Sequence, residues 1–254
     1  MKLMHYTFGE GPTVIILHGL FGFSDNWQTI AKTMAADFHV VLLDLRNHGR
    51  SPHDAAFDYD CMTADVIEFM NDKGISQASV VGHSLGGKVA MQLAVTEPLR
   101  INHLVVVDIA PKAYPVHHGP IIEALRSVPV NTLQSRNEAD AIMAKKIPEF
   151  GVRQFLLKNL YRDEQMKLAW RMNLDAIEHH IEEVGRALDE DTFYQGPVLF
   201  IRGRRSDYIS DTDEADILHH FPQARITTVE NAGHWVHADQ PEVVLSLLKE
   251  FLLT

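Results

Sequence analysis

The chain has 254 residues, of which 46% are hydrophobic and 22% charged, and its formal net charge is −11. That length supports one large α/β domain, or a domain carrying an insertion, with a substantial core. The acidic balance and the absence of any Lys/Arg block argue against a nucleic-acid or anionic-membrane surface, and no apolar segment approaches the roughly 20 residues that span a bilayer.

The first ten residues, Met1 to Glu10, lack the long apolar run of a signal peptide and are interrupted by Gly9 and Glu10, so a cytoplasmic protein is expected. Thr13–Leu17 is a short, wholly apolar, β-branched run, as expected of a strand buried on both faces of a parallel sheet. It ends at His18-Gly19-Leu20-Phe21-Gly22, after which Ser24 can cap a helix carrying Trp27, Ile30, Ala31 and Met34 on one side. The run from His39 to Asp44 predicts a second buried strand, followed by the polar turn from Leu45 to Ser51, which Asp44 can tie down. A helix is predicted over Met62 to Met70. It carries Cys61 just before it, a lone cysteine that excludes an intrachain disulfide and is expected to be a small buried side chain.

Ala78–Val81 leads into Gly82-His83-Ser84-Leu85-Gly86-Gly87 and the helix-like run from Lys88 to Val95. A serine between glycines at a strand-to-helix junction has the form of a nucleophile elbow. Side chains at Gly82 and Gly86 would collide with the neighbouring strand and helix, and Gly87 lets the helix approach the sheet. The helix N-terminus behind Ser84 favours negative charge. Pro98 breaks the helix and Leu104–Asp108 gives a fourth strand. Alternating strands and helices predict a mostly parallel, doubly wound sheet whose sites form at the C-terminal strand ends.

From about Pro111 to Gln195 the apolar residues recur at helical spacing and no convincing strand appears, so a helical cap insertion is expected over 111–196, between core segments 1–110 and 197–254. Ser135-Arg-Asn-Glu138 is a capping box opening a helix to Lys146, and Val152–Leu160 and Leu174–Leu188 are amphipathic. Pro197–Arg202 restores the sheet and Ala224–Val229 adds a strand. The turn Asn231-Ala-Gly-His-Trp235 follows, then a last helix signalled by Asp239, Pro241 and Glu242 and burying Val244, Leu247, Leu248 and Phe251. The pairs His117-His118, His179-His180 and His219-His220 lack the i, i+4 spacing and third ligand of a metal site, and solvated or capping histidines are expected.

A serine hydroxyl needs a base within hydrogen-bond reach, and the base needs an anion to orient it. His234, in the turn after the last strand, is the candidate base, in preference to His237 nearer the final helix. Two aspartates compete as the acid. Asp108 ends an apolar strand, where an unpartnered charge would be costly. Asp207 is the alternative, in a loop where a salt bridge to Arg204 or Arg205 would also explain it; Asp44 and Asp175 are minor candidates. The oxyanion donors are the Leu20 and Leu85 N–H groups, with Phe21 as the alternative to Leu20. Phe21, Tyr114 and Trp170 are candidate substrate-lining residues.

With these residues in place the chain resembles the α/β-hydrolases over essentially its whole length, from His18-Gly19 through Gly82-x-Ser84-x-Gly86 to Gly233-His234. The stretches from Asp44 to Ser51, Val107 to Pro111, Asn173 to Ala176 and Ala232 to His237 are similar to small bacterial acyl-ester hydrolases related to the animal abhydrolase domain-containing protein 11. The resemblance implies a core with a helical cap, serine esterase or thioesterase activity on a small-molecule ester or thioester through an acyl-enzyme, and no cofactor. It also implies Asp108 as the triad acid, while Asp207 departs from the group. Carbon–carbon bond hydrolases, perhydrolases and some lyases use the same triad, and a non-catalytic binding protein of this fold is the reading from another class. Oligomeric state leaves no signal in the sequence.

Overall fold

The computed structural model describes all 254 residues, Met1–Thr254. The elements in chain order are β1 (His5–Phe8), β2 (Thr13–Leu17), α1 (Gln28–Met34), β3 (His39–Leu43), α2 (Tyr59–Asp72), β4 (Ala78–His83), α3 (Leu85–Thr96) and β5 (Ile101–Val107). There follow α4 (Gly119–Arg126), α5 (Arg136–Met143), α6 (Phe150–Leu157), β6 (Leu160–Arg162), β7 (Leu168–Trp170) and α7 (Leu174–His179). The chain closes with β8 (Val198–Gly203), α8 (Glu214–His220), β9 (Ala224–Val229), α9 (Val236–Asp239) and α10 (Pro241–Leu252).

Seven strands form one sheet in the order β1-β3-β2-β4-β5-β8-β9, with only β1 antiparallel to its neighbour. Because side chains alternate across a strand, each apolar run feeds two cores. Ile15, Leu17, Val80, Val106 and Phe200 enter the larger cluster. Val14, Ile16, Val81, Val107 and Ile201 enter the smaller one, beneath α1 and α10. After β2 the chain turns to β3 on one side and then reaches β4 on the other, so the strand order switches beside β2. A ligand crevice in such a sheet forms at the C-terminal strand ends on either side of that switch, where the loops after Leu17 and His83 lie.

The helix α3 can sit against β2 and β4 only because Gly86 and Gly87 in its first turn carry no side chain. A Cβ on Gly86 would lie 2.5 Å from the Leu17 and His18 carbonyl oxygens, and one on Gly82 would overlap the Gly86 carbonyl. One turn further on, the buried Lys88 ammonium donates to the carbonyls of Pro111 (2.8 Å), Lys112 (2.6 Å) and Arg186 (2.9 Å). Burial lowers its pKa to about 7, and the three carbonyl acceptors favour the charged form. The two ends of the segment between β5 and β8 also meet directly, through Leu188 N–H and Pro111 C=O at 2.8 Å.

Several sequence expectations need correction. The segment between β5 and β8 is not wholly helical, since β6 and β7 pair as a short antiparallel hairpin. Three-residue strands are too short for periodicity to reveal, and β1 and α8 also escaped notice. Ser24 caps nothing: its N–H donates to Asp44 and its hydroxyl has no partner, while Asn26 accepts from Phe23 N–H. Asp239 likewise accepts from Gly233 N–H at 2.7 Å instead of capping α10, which begins at Pro241 after Gln240. The Ser135 cap does form, accepting from Glu138 N–H. Cys61 is only half-buried, packed on the Asp58 cap of α2 with its thiol pKa raised by burial to about 11.

The crowding at Gly86 makes a direct test. Gly86→Ala is expected to cost roughly 1–3 kcal/mol of unfolding free energy through overpacking. Gly151→Ala, in an open helical position of α6, is expected to gain up to about 1 kcal/mol; urea unfolding of both variants measures the contrast.

Candidate active site

Three residues at the ends of sheet strands adopt the left-handed backbone region, which non-glycine residues rarely enter: Phe21 (φ 58°) after β2, Ser84 (φ 52°) after β4 and Asp108 (φ 55°) after β5. A fourth, Asn231 (φ 60°), opens the turn that carries His234 after β9. Such conformations concentrate where a fold holds side chains in place for function. Phe21, Ser84 and His234 line one cavity, and Asp108 reaches it through its bond to His234.

Asp108 has no exposed surface. Its Oδ1 accepts from Gly203 N–H at 2.9 Å, and its Oδ2 accepts from the Ser206 hydroxyl and from His234 Nδ1 at 2.8 Å. A carboxylate accepts and does not donate, so His234 carries its proton on Nδ1 and presents a lone pair at Nε2. The Tyr208 ring stacks on the imidazole at 4.0 Å between centroids. Asp207, the alternative acid, is exposed and makes no hydrogen bond. Its expected salt bridge is also absent, because Arg204 pairs with Glu230 and Arg205 reaches Asn231 C=O and Asp239. Of the minor candidates, Asp44 accepts from the Ser24 and Arg50 N–H groups and so does tie the turn, and Asp175 pairs with Arg126 on the surface.

Ser84 and His234 line a cavity of about 210 Å³ whose apolar walls include Leu20, Phe21, Ile121, Val152, Phe155, Leu156 and Trp235. No hydrogen bond of 3.5 Å or less joins the Ser84 hydroxyl to His234; contacts of this kind often tighten only around substrate. A narrower recess behind Ser84 is lined by Leu20, Tyr59, Leu85, Ile109 and Tyr114. Leu20 and Leu85 N–H have no acceptor within the protein, whereas Phe21 N–H donates to His48 Nε2 at 3.2 Å.

Tyr114 contributes its ring to the recess, and its hydroxyl accepts from Ala110 N–H and donates to Tyr208 C=O. Trp170, on β7, is half-buried against the larger core and lines none of these cavities, which corrects its assignment as a substrate contact. The reading of His117 and His118 as merely solvated or capping is corrected too, since both line the cavity. His237 is buried, stacked on Trp27 at 4.2 Å. His179 is exposed, and His220 is buried with Nδ1 donating to Thr192 C=O.

A set of neutral imidazoles frames the site. His18 Nε2 accepts from Leu45 N–H at 3.0 Å and His48 Nε2 accepts from Phe21 N–H, each imidazole donating through Nδ1 to a carbonyl. His83, at the end of β4, donates through Nε2 to His234 C=O at 2.9 Å. Burial lowers the pKa of His18, pushes His48 and His237 down to about 3, and holds His83 well below its ordinary value. Sequence reasoning missed His48, His83, Ser206 and Tyr208. His48 and His83 lie in stretches already marked as motifs; Ser206 and Tyr208 leave no signal in spacing or type.

A family model described as the alpha/beta hydrolase family matches residues 14–247. The sn-1-specific diacylglycerol lipase ABHD11 of Danio rerio is 38% identical over 96% of this chain and 79% of its own length. Esterase YbfF of Escherichia coli is 37% identical over 94% of this chain and 92% of its own. The solved structure of a marine microorganism esterase superposes with a TM-score of 0.96 at 38% identity, covering 98% of this chain and 99% of that one.

The neutral histidines set a pH dependence of stability. Unfolded, each binds a proton near its ordinary value of about 6.5; folded, His48 and His237 bind one only near pH 3. The unfolded chain therefore holds more protons across that window, and stability falls as pH drops below about 6.5, by up to roughly 1.4 kcal/mol per histidine per unit. His237→Phe, which keeps the stack on Trp27, is expected to flatten the slope measured by urea unfolding between pH 7 and 5. An unchanged slope removes His237 from the account.

Proposed function

The chain belongs to the alpha/beta hydrolase family and is a carboxylic ester hydrolase; from that premise we propose that Ser84, His234 and Asp108 are its nucleophile, base and acid. The observation that carries this reading is the 2.8 Å bond from His234 Nδ1 to the buried Asp108 carboxylate, at the cavity that Ser84 lines.

In the first step Ser84 Oγ attacks the acyl carbon as its proton passes to His234 Nε2, and the imidazolium is stabilised by Asp108. The tetrahedral oxyanion is held by Leu20 and Leu85 N–H, the two donors without acceptors, at the positive end of α3. Phe21 N–H, engaged by His48, is the less suited donor. His234 then gives its proton to the departing oxygen or sulfur, leaving an acyl group on Ser84. A water deprotonated by His234 attacks the acyl carbon and releases the acid. No cofactor enters either step.

Residues 111–196 act as the cap of this core, supplying Ile121, Val152, Phe155 and Leu156 to close over the acyl chain and exclude water. A cavity of about 210 Å³ is the space of about seven waters, which suits short to medium acyl groups. The same chemistry serves thioesters, whose sulfur leaving group needs no further residue.

Ser84→Ala is expected to lower kcat for p-nitrophenyl butyrate by at least about 10⁴-fold. Unaffected hydrolysis in that variant would falsify the serine mechanism. Asp108→Asn is expected to lose about 10³–10⁴-fold, while Asp207→Asn stays within about twofold of the parent, the expectation for an exposed side chain without a partner. Circular dichroism establishes that both variants are folded, and loss confined to Asp207→Asn reverses the assignment.

A further inference from the structure

Beside the active site lies a second hollow of different character. Arg136 of α5, Lys158 after α6, Arg162 of β6 and Arg171 after β7 surround it, facing Phe23 and Gln28 at the loop and helix that follow β2. Six of the thirteen arginines of this acidic chain sit closely on a carboxylate: Arg46, Arg126, Arg153, Arg186, Arg202 and Arg204. None of these four cations does. Asp25 lies on the same wall yet forms no ion pair with any of them. Arg136 and Arg162 are aimed by bonds to the Leu160, Gln134 and Met166 carbonyls, and Arg171 stacks on the Tyr161 ring at 4.7 Å with its guanidinium N–H groups unbonded. Four like charges repel one another, and the single Asp25 carboxylate on the wall leaves them in excess, so the hollow favours an added anion.

The hollow and the catalytic cavity lie along α6, with a groove between them that shares residues with each. Val152, Phe155 and Trp235 line both that cavity and a groove that Lys158 also lines, and Lys158 in turn lines the hollow. Phe155 and Lys158 are three residues apart, neighbours on one helix face and about 4.5 Å apart along the axis. The cavity walls are apolar, suited to the acyl chain, and the hollow is polar, suited to whatever the acyl group is attached to.

We propose that this hollow binds a phosphate group carried on the alcohol or thiol portion of the substrate, with the ester carbonyl at Ser84. The inference rests on the serine hydrolase reading above. Arginine forks pair bidentately with phosphate oxygens and lysine adds a point charge, so the site selects substrates by their leaving group.

The test uses Lys158→Gln/Arg171→Gln, which removes the two cations that hold no backbone carbonyl and so leaves the hairpin intact. Two matched substrate pairs differ in the phosphate: butyryl-coenzyme A against butyryl-N-acetylcysteamine, and 1-butyrylglycerol 3-phosphate against 1-butyrylglycerol. The expected result is a KM about tenfold higher for a phosphate-bearing member, with kcat and the phosphate-free members unchanged, and the same KM rise in the parent on adding inorganic phosphate. A KM effect only in the coenzyme A pair assigns the phosphate to a nucleotide-bearing thiol; one only in the glycerol pair assigns it to a lipid headgroup; both support the proposal. Equal loss within each pair, no change in either, or no turnover of any phosphate-bearing substrate by the parent overturns it. Hydrolysis of p-nitrophenyl butyrate, abolished by Ser84→Ala and untouched by the double substitution, shows separately whether the serine reading holds.

Discussion

The site depends on the burial of one carboxylate. Asp108 is cut off from water, and a carboxylate so placed without hydrogen bonds would cost several kcal/mol. Three of its four acceptor positions are met, each from a different direction: Gly203 at the end of β8, Ser206 in the following loop and His234 in the turn after β9. Satisfying that one group therefore fixes the spacing of three strand ends. It also sets the proton of His234 on the nitrogen that faces away from the cavity.

A second set of constraints comes from imidazoles that serve as fixed hydrogen-bonding groups. His48 takes the N–H of Phe21 and thereby sets the conformation of the loop after β2, leaving Leu20 N–H without an acceptor. His83 holds the carbonyl of His234 itself. These roles need an uncharged ring with one donor and one acceptor, and burial keeps the rings in that state. Asn159 adds a link from the other side, its amide donating to Phe21 C=O at 2.7 Å from the chain just past α6. The loop after β2, which carries Leu20, is thus gripped by both the core and the segment above it.

Much of this was legible in the residues. The buried strands announced themselves as unbroken apolar runs, because each lies between two cores. Ser84 was readable from its flanking glycines, and Asp108 from the cost of ending such a run on a charge; in the structure its carboxylate meets His234 Nδ1 at 2.8 Å. Ser206 and Tyr208 were not legible, since a hydroxyl or ring in a polar loop acquires its part only when β8 brings it beside Asp108. The caps show the same limit: Ser24 and Asp239 have the right type and position, yet tertiary partners claim Ser24 N–H and the Asp239 carboxylate. Trp170 was misplaced because a large aromatic residue suits a core as well as a cavity. The hairpin of β6 and β7 was missed for its brevity, and it carries the cations of the second hollow.

The Lys88 clip bears on how this fold can vary. One ammonium, on α3 just after Ser84, fastens both ends of the segment between β5 and β8, and the Leu188 to Pro111 bond closes the loop beside it. That segment therefore leaves and rejoins the sheet at a single gate. Lengthening a loop whose ends are already pinned costs little, about 0.6 kcal/mol for each doubling. The chain between the pinned ends is thus a replaceable cassette, free to diverge in length and lining while the serine, the imidazole and the carboxylate stay in register beneath it.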